Sequence, residues 1–239
     1  MSSSSQYDGL SGLLSGAGVG GVSPSTLTNG LLCCYSNDGE DTSGNANATM
    51  TKNNAPGTAT GIFGNTCMDF VRASSQSRVL LAADADPLFD FSGGTVEGSM
   101  AWWVRPTSLN SFSGMFSRGT ATSRAFFTNT GTTTVRMANE YVSGTGRVQT
   151  GVWTHIYVGW DPSGSTSRLS YNGSLSETKS GIAWAAAGIA TFFGQLDTGS
   201  DFLNGRLDQF SSWDRQLTPT EINELYNGGA GTNFTGITV

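Results

Sequence analysis

Histidine occurs once in this chain, at His155, and cysteine three times, at Cys33, Cys34 and Cys67. One imidazole and two adjacent thiols do not supply the spaced ligands of a zinc site. Nor does His155 stand at a recognisable spacing from a serine or cysteine nucleophile. It lies on an alternating segment beside Trp153 and is expected to be a hydrogen-bonded structural side chain. Three thiols make no disulfide framework. Their apolar neighbours Leu31, Leu32, Tyr35, Met68 and Phe70 predict buried, reduced cysteines, with Cys34–Cys67 the one pairing left open. Basic charge is also scarce. Twelve Lys and Arg against 18 Asp and Glu give a net charge of -6, which argues against electrostatic binding to nucleic acid or to an anionic membrane surface. No apolar run approaches the roughly 20 residues of a membrane span. The first residues lack a basic stretch, and residues 10–22 are diluted by Gly and Ser, so no secretory signal is read there.

The sequence does have glycine, 33 residues of it, and only 13% charged residues. That composition favours short strands and many turns over ion-paired helices. Strands are expected over 31–35, 67–71, 77–81, 95–105 (stopped by Pro106), 115–117, 124–128, 133–137, 153–160 and 169–171. Asn172-Gly173 is a two-residue hairpin turn. Asp84 and Asp86, just before Pro87, read as loop. Residues 1–28 form a Ser/Gly-rich arm that buries too little to order by itself. The arm is therefore expected to dock on a neighbouring subunit. The main domain is expected over 29–232, with a tail at 233–239. Near the end, alternation places Leu207, Gln209 and Ser211 on one face of a strand and Asp208, Phe210 and Ser212 on the other. A short helix follows, with Thr218 as N-cap, Pro219 at the first position, Glu221 closing a capping box, and Gly228-Gly229 as the stop.

Taken in order, several pieces resemble a laminin G-like, concanavalin A-like jelly-roll domain. They are Asp41-Thr-Ser-Gly-Asn-Ala-Asn47, Met68-Asp-Phe70, Ser99-Met-Ala-Trp-Trp-Val104, Gly151-Val-Trp-Thr-His155, Leu169-Ser-Tyr-Asn-Gly173, Leu207-Asp208 and the capped helix. The likeness runs from about Leu31 to Gly229. It implies an all-β fold: a two-sheet antiparallel jelly-roll sandwich, one sheet concave, with an N-terminal extended arm and one short C-terminal helix. In this family the concave face and adjoining loops bind sugars or proteins, often beside calcium. Catalytic relatives carry Glu-x-Asp-x-(x)-Glu on one strand, and no such string occurs here, so the chain is expected to be non-catalytic.

Asp38, Asp41, Ser43, Asn45 and Asn47 supply the oxygen density that calcium requires, and Asp208 matches a family strand close to them. A structural Ca2+ at Asp38, Asp41, Asn45, Asn47 and Asp208 is one reading; an Asx-rich turn satisfying its own backbone is the other. Of the six Trp, Trp102, Trp153 and Trp160 sit in core strand positions. Tyr141 and Trp184, in less regular stretches, are the candidate glycan-binding residues. These features lead to a non-catalytic surface module, a phage-type virion protein decorating a capsid or belonging to a tail or fibre. It would contact other virion subunits through residues 1–28, work as a homo-oligomer or within a larger assembly, and bind a cell-surface glycan. The alternatives are a carbohydrate-binding domain of a larger secreted bacterial protein and a purely structural capsid-cementing protein.

Overall fold

A computed structural model describes residues 24–89, 97–109, 113–118, 125–129, 134–137, 140–141, 147–161, 163, 166–180, 190–196 and 201–232. The arm before residue 24, Trp184 and the tail 233–239 lie outside the described residues.

In chain order the elements are α1 (Pro24–Thr28), β1 (Leu31–Ser36), β2 (Glu40–Asp41), β3 (Thr51–Asn53), β4 (Gly57–Thr60), β5 (Thr66–Phe70), β6 (Ser77–Leu80) and α2 (Ala82–Phe89). They continue with β7 (Gly98–Ser108), β8 (Ser113–Arg118), β9 (Ala125–Asn129), β10 (Thr134–Met137), β11 (Glu140–Tyr141), β12 (Thr154–Asp161), β13 (Thr166–Tyr171), β14 (Ser174–Ser180), β15 (Thr191–Phe193), β16 (Asn204–Trp213) and α3 (Pro219–Tyr226). One sheet runs β14-β13-β12-β7-β16-β1-β2, with β5 pairing β16 and β4 pairing β5. The other runs β11-β10-β9-β8-β15-β6-β3. All strand pairs within both sheets are antiparallel.

Inward positions of the two sheets make the main core. Met100, Trp102, Val104, Ile156, Val158, Leu207 and Phe210 face Phe116, Phe193 and Leu80, with Phe89 of α2 between them. Phe89 meets Phe116, Phe193 and Phe210 edge-on at 5.5, 5.9 and 5.9 Å, the geometry that aromatic quadrupoles favour. A second, smaller cluster lies on the outer face of the nine-stranded sheet, where α1 and α3 cover Cys34, Ala101, Tyr157 and Trp213 with Leu27, Leu217, Ile222 and Leu225.

Several expectations are corrected. The strand at 98 runs through Pro106 to Ser108, because β12 pairs with β7 only as far as Val104 and the imino nitrogen falls beyond that ladder. Asp84 and Asp86 lie on a helix, α2, rather than a loop, since burial of Ala85, Leu88 and Phe89 outweighs the break at Pro87. Simple alternation fails in β16. Gln209 takes a left-handed φ of 51° and forms a bulge, so Leu207 and Phe210 both face the core. The bulge sits where the neighbour of β16 changes from β5 to β1. Finally, α1 folds against the domain inside the segment assigned to the arm. Leu27 is fully buried and its carbonyl accepts from Trp213 Nε1 at 2.7 Å.

The hairpin and the helix cap form as expected. Asn172 and Gly173 take φ of 48° and 77°, matching a type I′ turn. The Thr218 side chain accepts from Glu221 N, and Glu221 returns the bond to Thr218 N. All three cysteines are free and buried. Trp102 and Trp160 are core residues, while Trp153 is half-buried.

Candidate functional site

Four of the five residues expected around calcium lie between β1 and β3, but their oxygens do not converge. Asp41 Oδ1 accepts from Cys34 N at 2.9 Å and Ser43 N at 3.1 Å. Its Oδ2 accepts from Ser43 Oγ at 2.9 Å, Asn47 N at 3.2 Å and Asn47 Nδ2 at 2.9 Å. Asn45 and Asn47 aim amide nitrogens at the Leu31 and Leu32 carbonyls. Asp38 sits at the far end of the hairpin, ion-paired with Lys52 and the fully buried Arg78. A cation needs six or more free oxygens; here five donors already occupy one carboxylate. These residues do not fit a calcium ion. They form an Asx network that pins residues 41–47 onto β1.

Asp208, the fifth, is completely buried on β16. Its Oδ2 accepts from Ile62 N at 3.0 Å and its Oδ1 from Gln209 N at 2.9 Å. Burial raises its pKa from 3.8 to about 6, with the two N–H bonds offsetting part of the rise. A Cβ on Gly61 would collide with Asp208 Oδ2 and lie 3.0 Å from Asn65 Oδ1, a buried oxygen with no hydrogen-bond partner. Two oxygens facing one cradle fall well short of a calcium shell. Among the described residues no three His, Cys, Asp or Glu side chains gather.

His155 is wedged between Trp103 and Tyr226, with ring centroids at 5.0 and 6.4 Å. Desolvation drives its pKa down to about 3, so it stays neutral. Its Nδ1 is buried without a hydrogen-bond partner, so the expected side-chain bond is not made at that nitrogen, and the ring packs between the two aromatic side chains. Two further acidic side chains serve the scaffold. Asp86 pairs with Arg118, and Glu221 binds Arg215 at 2.7 Å while capping α3.

Of the two aromatic candidates, Tyr141 lies on β11, the edge strand of the seven-stranded sheet, where its backbone pairs with Arg136. An aromatic side chain overlooked by the sequence reading lies on the outer face of that sheet. The register forms a row Ser117–Phe192–Val79–Thr51 across four strands. Phe192 and Val79 are half-buried and Thr51 exposed, and Leu81, two residues beyond Val79, is 63% exposed. The missed signal was Phe192-Phe193: adjacent strand residues point to opposite faces, so one ring had to point out.

Two antiparallel sheets, with a capped helix on one outer face and the ring of Phe192 on the other, define a jelly-roll-type β-sandwich. Residues 74–223 match the family model for the concanavalin A-like lectin/glucanases superfamily, and the chain belongs to that superfamily. Among solved structures it is similar to domain 4 of AbnA, a GH43 extracellular arabinanase from Geobacillus stearothermophilus, in complex with arabinotriose. The TM-score is 0.59 at 17% identity, over 81% of this chain and 97% of that one. The binding domain of Paraclostridial Mosquitocidal Protein 1 superposes with a TM-score of 0.65 at 17% identity, over 85% of this chain and 53% of that one. A botulinum neurotoxin type C structure, from work on its interaction with two ganglioside molecules, gives 0.63 at 12% identity, over 85% and 52%. The chain thus spans about half the length of each toxin chain. No curated protein sequence matches it.

Proposed function

We propose that this chain is a non-catalytic glycan-binding module whose contact surface is the outer face of the seven-stranded sheet. The observation that carries the reading is the row Phe192–Val79–Thr51, an outward ring flanked by an aliphatic and a hydroxyl side chain. Sugar rings stack their C–H faces on such a ring while neighbouring hydroxyls exchange hydrogen bonds. Tyr141, at the edge of the same sheet, extends the candidate surface. Likeness to an arabinanase domain held with arabinotriose supports the ligand class. The test is glycan-array binding followed by Phe192→Ala. Loss of at least tenfold in affinity, with the unfolding midpoint held, supports the surface; unchanged affinity for every glycan bound refutes it.

Within this reading we place the module on a phage-type virion, as capsid decoration or a tail or fibre subunit, with residues 1–23 reaching a neighbouring subunit. The support is a fixed root for the Ser/Gly-rich segment: Trp213 and Arg215 hold the carbonyls of Thr26, Leu27 and Asn29. Copurification with a large particle, lost when residues 2–23 are deleted, is the expected result. The arabinanase likeness, covering nearly all of that domain, favours a second placement as the carbohydrate-binding domain of a larger secreted protein. Recovery of the chain only as part of a longer polypeptide would establish it.

A further inference from the structure

In a chain with an acidic excess, one end of the nine-stranded sheet gathers three arginines. On its outer face Arg105 of β7 lies directly opposite Arg206 of β16, which lies opposite Asp69 of β5. Like charges in opposed cross-strand positions are unfavourable, and a single carboxylate, Asp69, lies beside the pair. Arg206 Nε is 3.6 Å from Asp69, and among the described residues Arg105 has no carboxylate partner. Two residues along β16, Asn204 borders a hollow of about 520 Å³ with Val71, Arg72 and Ala73. Arg72 reaches Asp201 at 3.5 Å. Three guanidinium groups thus share this end of the sheet with two carboxylates, Asp69 and Asp201.

Each arginine is also held in place by the main chain. Arg105 Nε donates to the Gly151 carbonyl at 2.8 Å, Arg206 Nη1 to Thr60 at 3.3 Å and Arg72 Nη1 to Phe202 at 3.0 Å. A carbonyl bond orients a guanidinium without neutralising it, and Arg105, which has no carboxylate beside it among the described residues, keeps its full positive charge. Val71, 44% exposed, adds an apolar wall, and Asn204 adds an amide. Oriented forks, an amide and a small apolar face are the contacts that a ring bearing a carboxylate needs.

We propose that this end of the sheet is a second binding site, selective for carboxylate-bearing sugars, with Arg72, Arg105 and Arg206 engaging the acid group. The sugar part rests on the glycan reading above; the anion part rests on the arginines alone. The probes are tri-galacturonic acid, its methyl ester and 3′-sialyllactose, titrated calorimetrically into the full chain at 50 and 300 mM salt. Binding of an acid probe, at least tenfold weaker for the ester and at the higher salt, is expected. Arg105→Gln/Arg206→Gln should lose it tenfold or more, Asp69→Asn should gain about threefold, and Phe192→Ala should leave it unchanged. No binding of either acid probe, equal binding of acid and ester, or affinity indifferent to the arginine variant would overturn the site. Displacement by poly-glutamate as effective as by the sugars would also overturn it, in favour of an acidic polypeptide. Loss of neutral-glycan binding in Phe192→Ala with acid binding intact separates this site from the other surface.

Discussion

Replacing Asp208 with asparagine tests whether its buried carboxyl stands without a cation. The side chain is fully buried, and burial lifts its pKa from 3.8 to about 6. The folded chain therefore keeps a proton up to about pH 6 that the unfolded chain releases near 3.8. This contribution is complete below the lower value and is lost as pH rises through the upper one. Two units at about 1.4 kcal/mol each make the loss about 3 kcal/mol between pH 4 and 7.5. His155 acts in the opposite sense. Its pKa falls from 6.5 to about 3, so the unfolded chain takes up a proton first and stability drops as pH falls below 6.5. The wild-type profile sums both, and only the difference between Asp208→Asn and wild type isolates the carboxyl. The amide forfeits one of the two backbone N–H bonds at every pH, a nearly constant cost of about 1 kcal/mol. Urea unfolding at pH 4, 5, 6 and 7.5 should show the variant gaining about 3 kcal/mol on wild type across the range. Parallel profiles would refute the reasoning. So would a wild type that gains on the variant above pH 6 when calcium is added, because that pattern belongs to a carboxylate paired with a metal.

Trp213→Phe removes the donor to the Leu27 carbonyl and should cost about 1–3 kcal/mol in urea unfolding, with faster amide exchange in residues 26–30. Thr218→Ala breaks the capping box of α3 and should cost about 1–2 kcal/mol, lowering the thermal midpoint by a few degrees. Gly114→Ala drives a methyl into the backbone of Gln195 and Leu196 and should cost more than about 2 kcal/mol, appearing as loss of soluble protein or a large fall in the urea midpoint. The native protein should react with a thiol reagent at almost none of its three cysteines, since burial raises all three pKa values, Cys34 and Cys67 to about 12; full labelling should follow only on unfolding.

Local rules made the sandwich legible where the deciding groups were neighbours in sequence. Asn172-Gly173 and the Thr218–Glu221 cap are settled within four residues, and Trp102 and Trp160 read correctly as core strand positions. The failures all involve distant groups. Nothing near Gln209 says that the partner of β16 changes there, so the bulge that turns Phe210 inward was invisible. The helix at Ala82–Phe89 forms because a ring 121 residues away, that of Phe210, receives Phe89. The oxygen-rich run 38–47 reads alike as a cation cage or an Asx network, because composition does not say which oxygens are already bonded. Five donors on Asp41 decide it. The arginine cluster joins positions 72, 105 and 206, which only the strand order brings together.

That strand order also gives the module a direction. β16 begins at Asn204, beside the arginines, and ends at Trp213, whose indole holds α1. Nine residue steps at about 3.3 Å place roughly 30 Å between the two. At the Trp213 end the outer face is sealed by Leu27, Leu217, Ile222 and Leu225. The chain preceding Pro24 must therefore join the domain at that end. At the Asn204 end, among the described residues, no α-helix packs on the same face, and Val71 is 44% exposed beside the hollow that Arg72 and Asn204 line. A tether rooted at one end of a rigid strand holds the other end away from whatever the tether grips. Grafting the arm to the opposite end, by circular permutation through the Asn172-Gly173 turn, would leave the fold's contacts in place while reorienting the arginines. If the module presents that end outward, acid-sugar capture by the permuted chain immobilised on a surface through the arm should fall below that of the original chain immobilised in the same way, while capture by the two free chains stays the same. Equal capture by both immobilised chains would show that the direction of the strand has no bearing on function.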